Sequence, residues 1–458
     1  MAREFTDVVV LIPGITGSVL ERNGGEVWGT SAAAVLRALL SGGQSIRDLM
    51  LTEDDPEVDE LGDGVKATRL VHDVHLLPGV WAIDGYTKIA NRLRQRLQLI
   101  PGTNYFELPY DWRRDNRVAA RKLLRESSQW LAQRRKTHPD AKLVLIAHSM
   151  GGLVSRYFLE VLGGWQQSRA LITFGTPYRG SLNALDSLVN GVRKARILDL
   201  TDLLRSFTSM YQLLPIYPCL DMGDGHLARL SEVARVPCLD NVHLQRIRSA
   251  QAFHRSIEAA VTANQTAAGA GIGRYSIRPV VGIDQPTSQT AVVRDGGVEL
   301  LQSRNGADEG GDGTVPLVSA TPIEWGERDA AFAAARHGSL QNTDAVLAHV
   351  HGVLTVPRDL GAVRAGGAQV TLSLHLDRMF ADSEPVTFAV TPSQPGVPLK
   401  AVIASVSDST VRRVVELLPS DDLRVQRELP NLTTGVYRLT VQGDPTTVEP
   451  VSDLFCVA

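Results

Sequence analysis

A serine hydroxyl is a weak nucleophile at neutral pH. It needs a base to take its proton and a carboxylate to hold that base in the right tautomer. Ser149 has the setting for such chemistry. It lies in Ala147-His148-Ser149-Met150-Gly151-Gly152, directly after the apolar run Leu143 to Ile146. Apolar residues at helical spacing follow at once: Leu153, Val154, Tyr157, Phe158, Val161 and Leu162. That pattern ends at Gly163-Gly164, where a helix terminus favours a left-handed residue. Strand, sharp turn and helix form the context in which a G-x-S-x-G-like motif becomes a nucleophile elbow. The turn strains the serine backbone, so the neighbours at −2 and +2 must be small. Here they are Ala147 and Gly151, alanine keeping small a position where glycine is usual.

The order serine, acid, histidine then directs the search downstream. Asp312 lies in Gly311-Asp312-Gly313-Thr314-Val315-Pro316, a Gly-flanked loop from which a carboxylate can approach a histidine. An Asx-type turn, or a loose cation loop with Asp308 and Glu309, fits the same residues. Three histidines follow. His349 and His351 fall within the last helical pattern, poorly placed to reach a sheet edge. His337 sits in the loop before it, the right place for a base, although a surface histidine also fits there. His148 reads as a packing residue of the elbow. The oxyanion formed in acyl transfer needs preorganised N–H donors. The Met150 amide is one by construction. The natural second is the Ile15 amide, in the turn Pro13-Gly14-Ile15-Thr16-Gly17-Ser18 that follows the apolar run Val8 to Ile12. This chemistry calls for no cofactor and no metal.

Such residues need a scaffold that presents them from strand ends. Val8 to Ile12 is apolar throughout, as in a strand covered on both faces. Helical spacing at Tyr86, Ile89, Leu93, Leu97 and Ile100 precedes a strand at Tyr105 to Leu108, and a helix is expected from Asn116 to Gln133. Further strands are expected at Ala170 to Phe174, Ser276 to Ile283 and near Asp329 to Ala335, with a last helix over Gln341 to Leu354. The rhythm argues for a mostly parallel sheet with right-handed crossovers. It breaks twice, over about 26–84 and 180–273, and these segments read as cap insertions; the first reads poorly as sheet, with short helical pieces at Ala32 to Leu40 and Ile46 to Leu51. Ala291 to Leu300 reads as a hairpin turning at Asp295-Gly296. In the second insertion Leu200, Leu203, Leu204, Phe207, Tyr211 and Leu214 recur at helical spacing, downstream of Arg193, Lys194 and Arg196. That pattern predicts either a lid face that meets a lipid surface or a cap helix packed on the sheet. Past a linker at Arg364-Ala365-Gly366-Gly367, short alternating runs at Val370–Leu376, Pro385–Val390, Leu399–Val406, Val411–Leu417, Leu423–Leu429 and Val436–Val441 suggest a small β-sandwich. The expected division is 1–357 for the first domain and 366–458 for a separable second.

Composition excludes some classes. The chain has 458 residues, 43% hydrophobic and 21% charged, ordinary for a globular protein. A net charge of −3 gives no electrostatic case for nucleic acid. No run approaches the apolar length of a membrane span. The N-terminus enters an apolar strand at Val8, so no secretory signal is expected and the expected compartment is the cytoplasm. The three cysteines, Cys219, Cys238 and Cys456, form no framework; reduced thiols are expected, with a Cys219–Cys238 pair the alternative.

The Pro-Gly-Ile-Thr-Gly-Ser turn, Tyr110-Asp111-Trp112-Arg113, the Ser149 motif, Phe174-Gly175-Thr176-Pro177, Tyr211-Gln212-Leu213-Leu214-Pro215, the Asp312 loop and the His337 loop together resemble the lecithin–cholesterol acyltransferase and phospholipase family, in order, over roughly residues 8 to 354. The resemblance implies an α/β-hydrolase fold with cap or lid insertions, followed here by an Ig-like sandwich that it does not cover. It implies Ser149, Asp312 and His337 as the catalytic set, with Ile15 and Met150 supplying the oxyanion amides. The expected activity is that of a serine lipase or phospholipase that cleaves or transfers the acyl chain of a lipid ester. A carboxylesterase on small esters, or a hydrolase-fold module that binds a partner or acts as a regulated effector, are the other readings. The expected partners are a lipid or ester substrate, transiently a membrane surface, and a protein met through the sandwich.

Overall fold

The computed structural model describes residues 4–29, 48–72, 75–77, 81–194, 198–223, 225–268, 275–324, 330–355, 370–407, 412–418, 423–429 and 432–458. Its centre is a six-stranded sheet, all parallel, built from β1 (Val8–Ile12), β2 (Tyr105–Glu107), β3 (Leu143–His148), β4 (Ser168–Phe174), β5 (Ser276–Gly282) and β6 (Ala331–Ala333). The order across the sheet is β6-β5-β4-β3-β1-β2, so the first strand lies inside it. The apolar run of β1 divides by pleat. Val8, Val10 and Ile12 enter one core with Leu143, Leu145 and Ala147, while Val9 and Leu11 enter the other with Val144, Ile146, Ile172 and Phe174.

Helices cover both faces. On the first lie α2 (Asn116–Arg135), capped by the Asp115 carboxylate on the Arg117 amide, and α3 (Gly151–Arg156), which continues as a π-helical turn over Tyr157–Val161. The second is covered by α1 (Thr87–Leu97), through Ile89, Leu93 and Leu97, and by α8 (Asp344–Thr355), through Val346, Leu347 and Val350. This is the α/β-hydrolase plan.

The insertions differ from expectation in detail. The first holds more sheet than its sequence suggests. Ser18–Arg22 pairs with Gly25–Trp28 and Val65–Leu70 in an antiparallel sheet, and His75–Leu77 pairs with Trp81–Ile83. The helical piece expected at 32–40 lies outside the described residues. Arginines bind this insertion to the scaffold. Arg113, fully buried, reaches Asp111 (2.6 Å), Asp63 (2.9 Å) and the Leu49 carbonyl (3.2 Å), and Arg114 takes Asp54 (2.9 Å) and the carbonyls of Asp55, Val58 and Asp59.

The second insertion contains α4 (Leu182–Val189), α5 (Thr201–Ser206), α6 (Thr208–Gln212) and the long α7 (Asn241–Ala268). The hairpin Thr290–Arg294/Gly297–Leu301 turns at Asp295-Gly296, both with positive φ, and pairs with Leu220–Asp221 in the cap. The apolar stretch from Leu200 to Leu214 is not a continuous lid face. The chain is extended at Phe207 (φ −77°, ψ 121°), between α5 and α6, and Leu200, Leu203, Leu204, Phe207, Tyr211 and Leu214 are all buried. The Phe207 ring meets Trp112 edge-on, centroids 5.6 Å apart, and the Ser209 hydroxyl donates to the Trp112 carbonyl (2.6 Å). The stretch is cap interior. Arg196 lies outside the described residues.

The described residues between 370 and 458 form two facing sheets. One is β7 (Leu372–Leu376), β9 (Val386–Pro392) and β12 (Val425–Leu429), in the order β7-β9-β12. The other is β8 (Met379–Phe380), β10 (Leu399–Ser405), β11 (Arg412–Leu417), β13 (Gly435–Gln442) and β14 (Val451–Val457), in the order β8-β14-β13-β10-β11. Leu372, Leu374, Phe388 and Val390 meet Ala401, Ile403, Leu439, Val441 and Phe455 between them. The expected linker lies outside the described residues. The two shortest-range surprises are β8 and β14, which the alternation does not foretell. None of the three cysteines is in a disulfide; Cys219 and Cys456 are buried and Cys238 is exposed.

Candidate active site

Ile15, Ser149 and His337 follow the carboxyl ends of β1, β3 and β6, and Asp312 packs against Gly282 at the carboxyl end of β5, the side where open α/β sheets bind ligands. Ser149 leaves β3 with φ +51°, a left-handed backbone for a non-glycine residue. Its amide donates to the Phe174 carbonyl of β4 (2.9 Å), and its own carbonyl accepts from the Thr176 hydroxyl (3.0 Å). Those bonds over-determine the strained turn. Gly151 permits it: a β-carbon there would come within 2.5 Å of the Pro13 carbonyl oxygen.

The structure brings Ser149, His337 and Asp312 into one chain of contacts. His337 Nε2 lies 2.9 Å from Ser149 Oγ, and His337 Nδ1 lies 2.7 Å from Asp312 Oδ2. The other Asp312 oxygen accepts from the Thr314 and Val315 amides (2.9 and 2.7 Å), and the Asp312 carbonyl accepts from the His337 amide (2.8 Å). With an ionised Asp312 facing Nδ1, the imidazole proton sits there and Nε2 is left to accept from the serine. Ser149 is 5% exposed, His337 4% and Asp312 1%, so the set lies beneath the surface. Gly175 is what lets acid and base meet. At φ +53°, a β-carbon on it would fall 2.7 Å from Asp312 Oδ2 and 2.8 Å from His337 Nδ1. Asp308, the alternative cation ligand, instead accepts from Gln289 Nε2 (2.6 Å) and the Gly310 amide (2.8 Å). His349 and His351 lie on α8, in the layer beside α1.

The turn at Pro13–Ser18 is braced from three directions. The Tyr110 hydroxyl donates to the Pro13 carbonyl (2.8 Å), Trp112 Nε1 to the Ser18 carbonyl (3.0 Å) and Trp28 Nε1 to the Thr16 carbonyl (2.9 Å). These bonds give the Tyr110-Asp111-Trp112-Arg113 motif a local purpose: its aromatics hold the turn and its arginine holds the cap. Ile15 and Met150 are both buried, one in this turn and one directly after Ser149.

His148 does more than pack. Its Nδ1 lies 3.0 Å from the Tyr86 hydroxyl, which accepts from the Gly14 amide (2.8 Å), and its Nε2 lies 3.1 Å from the His337 carbonyl. Burial first, then the neighbouring His337, pushes the His148 imidazole down to about 3, so it is neutral at physiological pH. Neutral His148 can accept from Tyr86 at Nδ1 and donate from Nε2 to the His337 carbonyl. A single chain of bonds thus runs from the Gly14 turn to the His337 loop. Tyr86 carries no sequence signal beyond its place in a helical apolar pattern, and its role is visible only in three dimensions.

The fold is that of an α/β-hydrolase, with Ser149 on the turn that leaves β3. Within it, residues 53–263 match the model of the lecithin:cholesterol acyltransferase family, so the resemblance drawn from the motifs holds over that stretch, which includes Ser149 and stops short of Asp312 and His337. No curated protein matches the sequence. Among solved structures, a chain of the Tle4–Tli4 complex is similar at 16% identity and a TM-score of 0.46, covering 77% of this chain and 98% of that one. Mature Bacillus licheniformis lipase BlEst2 is similar at 12% identity and a TM-score of 0.33, covering 78% and 95%. Phospholipase PlaB from Legionella pneumophila, in complex with thio-NAD, is similar at 10% identity and a TM-score of 0.33, covering 98% and 89%.

Proposed function

We propose that the protein is a serine lipase or phospholipase that forms an acyl-enzyme on Ser149. The observation that carries this reading is the unbroken contact Ser149 Oγ–His337 Nε2–His337 Nδ1–Asp312 Oδ2, at 2.9 and 2.7 Å, on a strained elbow. His337 takes the serine proton as Oγ attacks the ester carbonyl, and Asp312 steadies the imidazolium that forms. The Ile15 and Met150 amides hold the oxyanion. His337 then returns the proton to the departing alcohol, and water or a second alcohol, activated in turn by His337, takes the acyl group. The family match over residues 53–263 supports a lipid ester as the substrate class. Lipid mass spectrometry of phospholipid vesicles incubated with the wild type and with Ser149→Ala tests it. Serine-dependent release of fatty acid, or its appearance on an added alcohol, is the expected result. Turnover of short esters with no change in any lipid would assign a carboxylesterase instead.

A further inference from the structure

The loops that carry the acid and the base are gripped from outside the hydrolase region. Arg336, one residue before His337, turns its side chain away from the site and into the sandwich. There its guanidinium pairs with Asp453 of β14 at 2.6 Å and donates to the Leu374 carbonyl of β7. Arg378, in the turn between β7 and β8, donates from Nη2 to the hydroxyl of Thr314 (3.3 Å), the residue whose amide holds Asp312 Oδ1. Gln285, 2% exposed, ties the same loop from below. Its amide donates to the Gly311 carbonyl (3.1 Å), while its side chain donates to the Leu372 carbonyl (2.9 Å) and accepts from the Leu374 amide (3.2 Å). One sandwich strand therefore docks edge-on against the acid loop.

The charges make a balanced quartet behind His337. The hydrolase region contributes Arg336 and Asp312, and the sandwich contributes Arg378 and Asp453. Burial lowers the Arg378 pKa from its usual value, Asp453 opposes that, Arg336 adds to it, and Asp312 opposes it again. Holding two domains together does not call for such an arrangement. Removing charges from water is costly unless geometry and partners are held closely, and an apolar patch would join the domains at lower cost. What a charged, hydrogen-bonded cluster adds is a defined position for the groups attached to it, and the groups attached here are the backbones beside Asp312 and His337.

We propose that the C-terminal sandwich is a working part of the active site, its Arg378 and Asp453 acting as positioning residues that set the Asp312 and His337 loops. This rests on the reading of Ser149, His337 and Asp312 as the catalytic set. The expected effect falls on turnover rather than on substrate binding, because an acid–base pair displaced by a fraction of an ångström loses rate without losing the pocket.

The test uses the full chain and three measurements: the rate at which a fluorophosphonate labels Ser149, kcat and KM on a short soluble ester, and the urea midpoint. Arg378→Met removes the charge and the donor at similar bulk. It is expected to slow labelling and kcat together by about 10- to 100-fold with KM within about twofold. Arg378→Lys, which keeps a charge and a donor, is expected to recover most of that rate. Thr314→Val removes only the hydroxyl that Arg378 meets and is expected to lose a few-fold in both rates. Val414→Ala, on the exposed face of edge strand β11, is expected to match the wild type. Should Arg378→Met fail to fold, Thr314→Val carries the test by the same criteria. Wild-type labelling in a folded Arg378→Met or in Thr314→Val overturns the inference. So do equal losses in Arg378→Lys and Arg378→Met that track a lowered urea midpoint. A wild type that takes no label at all would instead strike the catalytic reading itself.

Discussion

The two sides of the site are supported in opposite ways. The oxyanion side, Pro13–Ser18 with Met150, leans on residues of its own region: Tyr86, Tyr110, Trp112 and the first turn of the elbow helix. The acid–base side leans on residues some forty to a hundred and forty positions further along, on Leu372, Leu374, Arg378 and Asp453 of a different layer. The first arrangement is drawn from residues of the same hydrolase region, although its partners lie 72 to 97 positions apart. The second depends on the sandwich, which the motif does not require. Neighbouring halves of one candidate site can therefore answer to different parts of the chain.

The largest effect expected is the one both sides share. Ser149→Ala and His337→Ala should each lower kcat on the order of 10,000-fold with the fold intact by circular dichroism, and the double variant should be no worse than either alone. His349→Ala should retain near wild-type turnover. The reverse pattern, with His349 essential and His337 dispensable, would dissolve the acid–base side altogether.

Next in size is the cap. Phe207→Asp places a charge in a fully buried aromatic contact with Trp112 and should cost about 3 to 5 kcal/mol of stability in urea unfolding. Its losses on a soluble ester and on an aggregated one should be equal. A selective loss on the aggregated substrate would restore this stretch as a surface-seeking lid and count against its place in the cap interior.

On the oxyanion side, Tyr86→Phe removes the hydroxyl that accepts from Gly14 and donates to His148. It should lower kcat about tenfold at unchanged KM, less than loss of an oxyanion donor itself. An effect as large as that of His337→Ala would mean the two sides are one unit, joined through His148.

The smallest effect is on stability against pH. Burial holds His148 down to about 3 and His254 down to about 4, whereas in the unfolded chain both titrate near 6.5. Below 6.5 the unfolded state binds protons that the folded state refuses, so their contribution is complete above 6.5 and is lost as pH falls toward 4 and 3. The slope should be about 1 kcal/mol per pH unit for each histidine in that window, read from urea midpoints between pH 7 and 5. His148→Gln should remove about half of the combined slope, His254 keeping the rest; an unchanged slope would place the acid sensitivity in other groups.

The sequence and the structure agree where a signal is local. The elbow, the early turn and the helix pattern from Tyr86 to Leu97 each announce themselves through residues within a dozen positions, and strands β1, β3 and β4 through apolar runs. Agreement fails where the deciding partner is distant. The helical spacing of Leu200 to Leu214 is the same whether the apolar face meets lipid or Trp112, so periodicity could not choose. Strand β14 shows no alternation because both its faces are covered. Val451, Phe455 and Val457 face the sandwich core, Leu454 and Cys456 a second cluster, and Asp453 sits among them for Arg336, which spoils any alternation. The first insertion hid its strands because Val65–Leu70 is half exposed and rich in charge. Asp312 and His337 were legible from order and loop context, but nothing near them in sequence announces Arg378.

The position of Asp453 has a consequence for the timing of activity. Roughly three hundred residues separate it from Ser149, and chains are made at about 5 to 20 residues per second, so the nucleophile emerges about a quarter of a minute to a minute before the strand that steadies its base. The elbow, the cap and the oxyanion turn can all assemble in that interval. If Arg378 and Asp453 position the acid and base as proposed, a nascent chain that has not yet made β14 works more slowly than the finished protein, and full turnover waits for the sandwich to close.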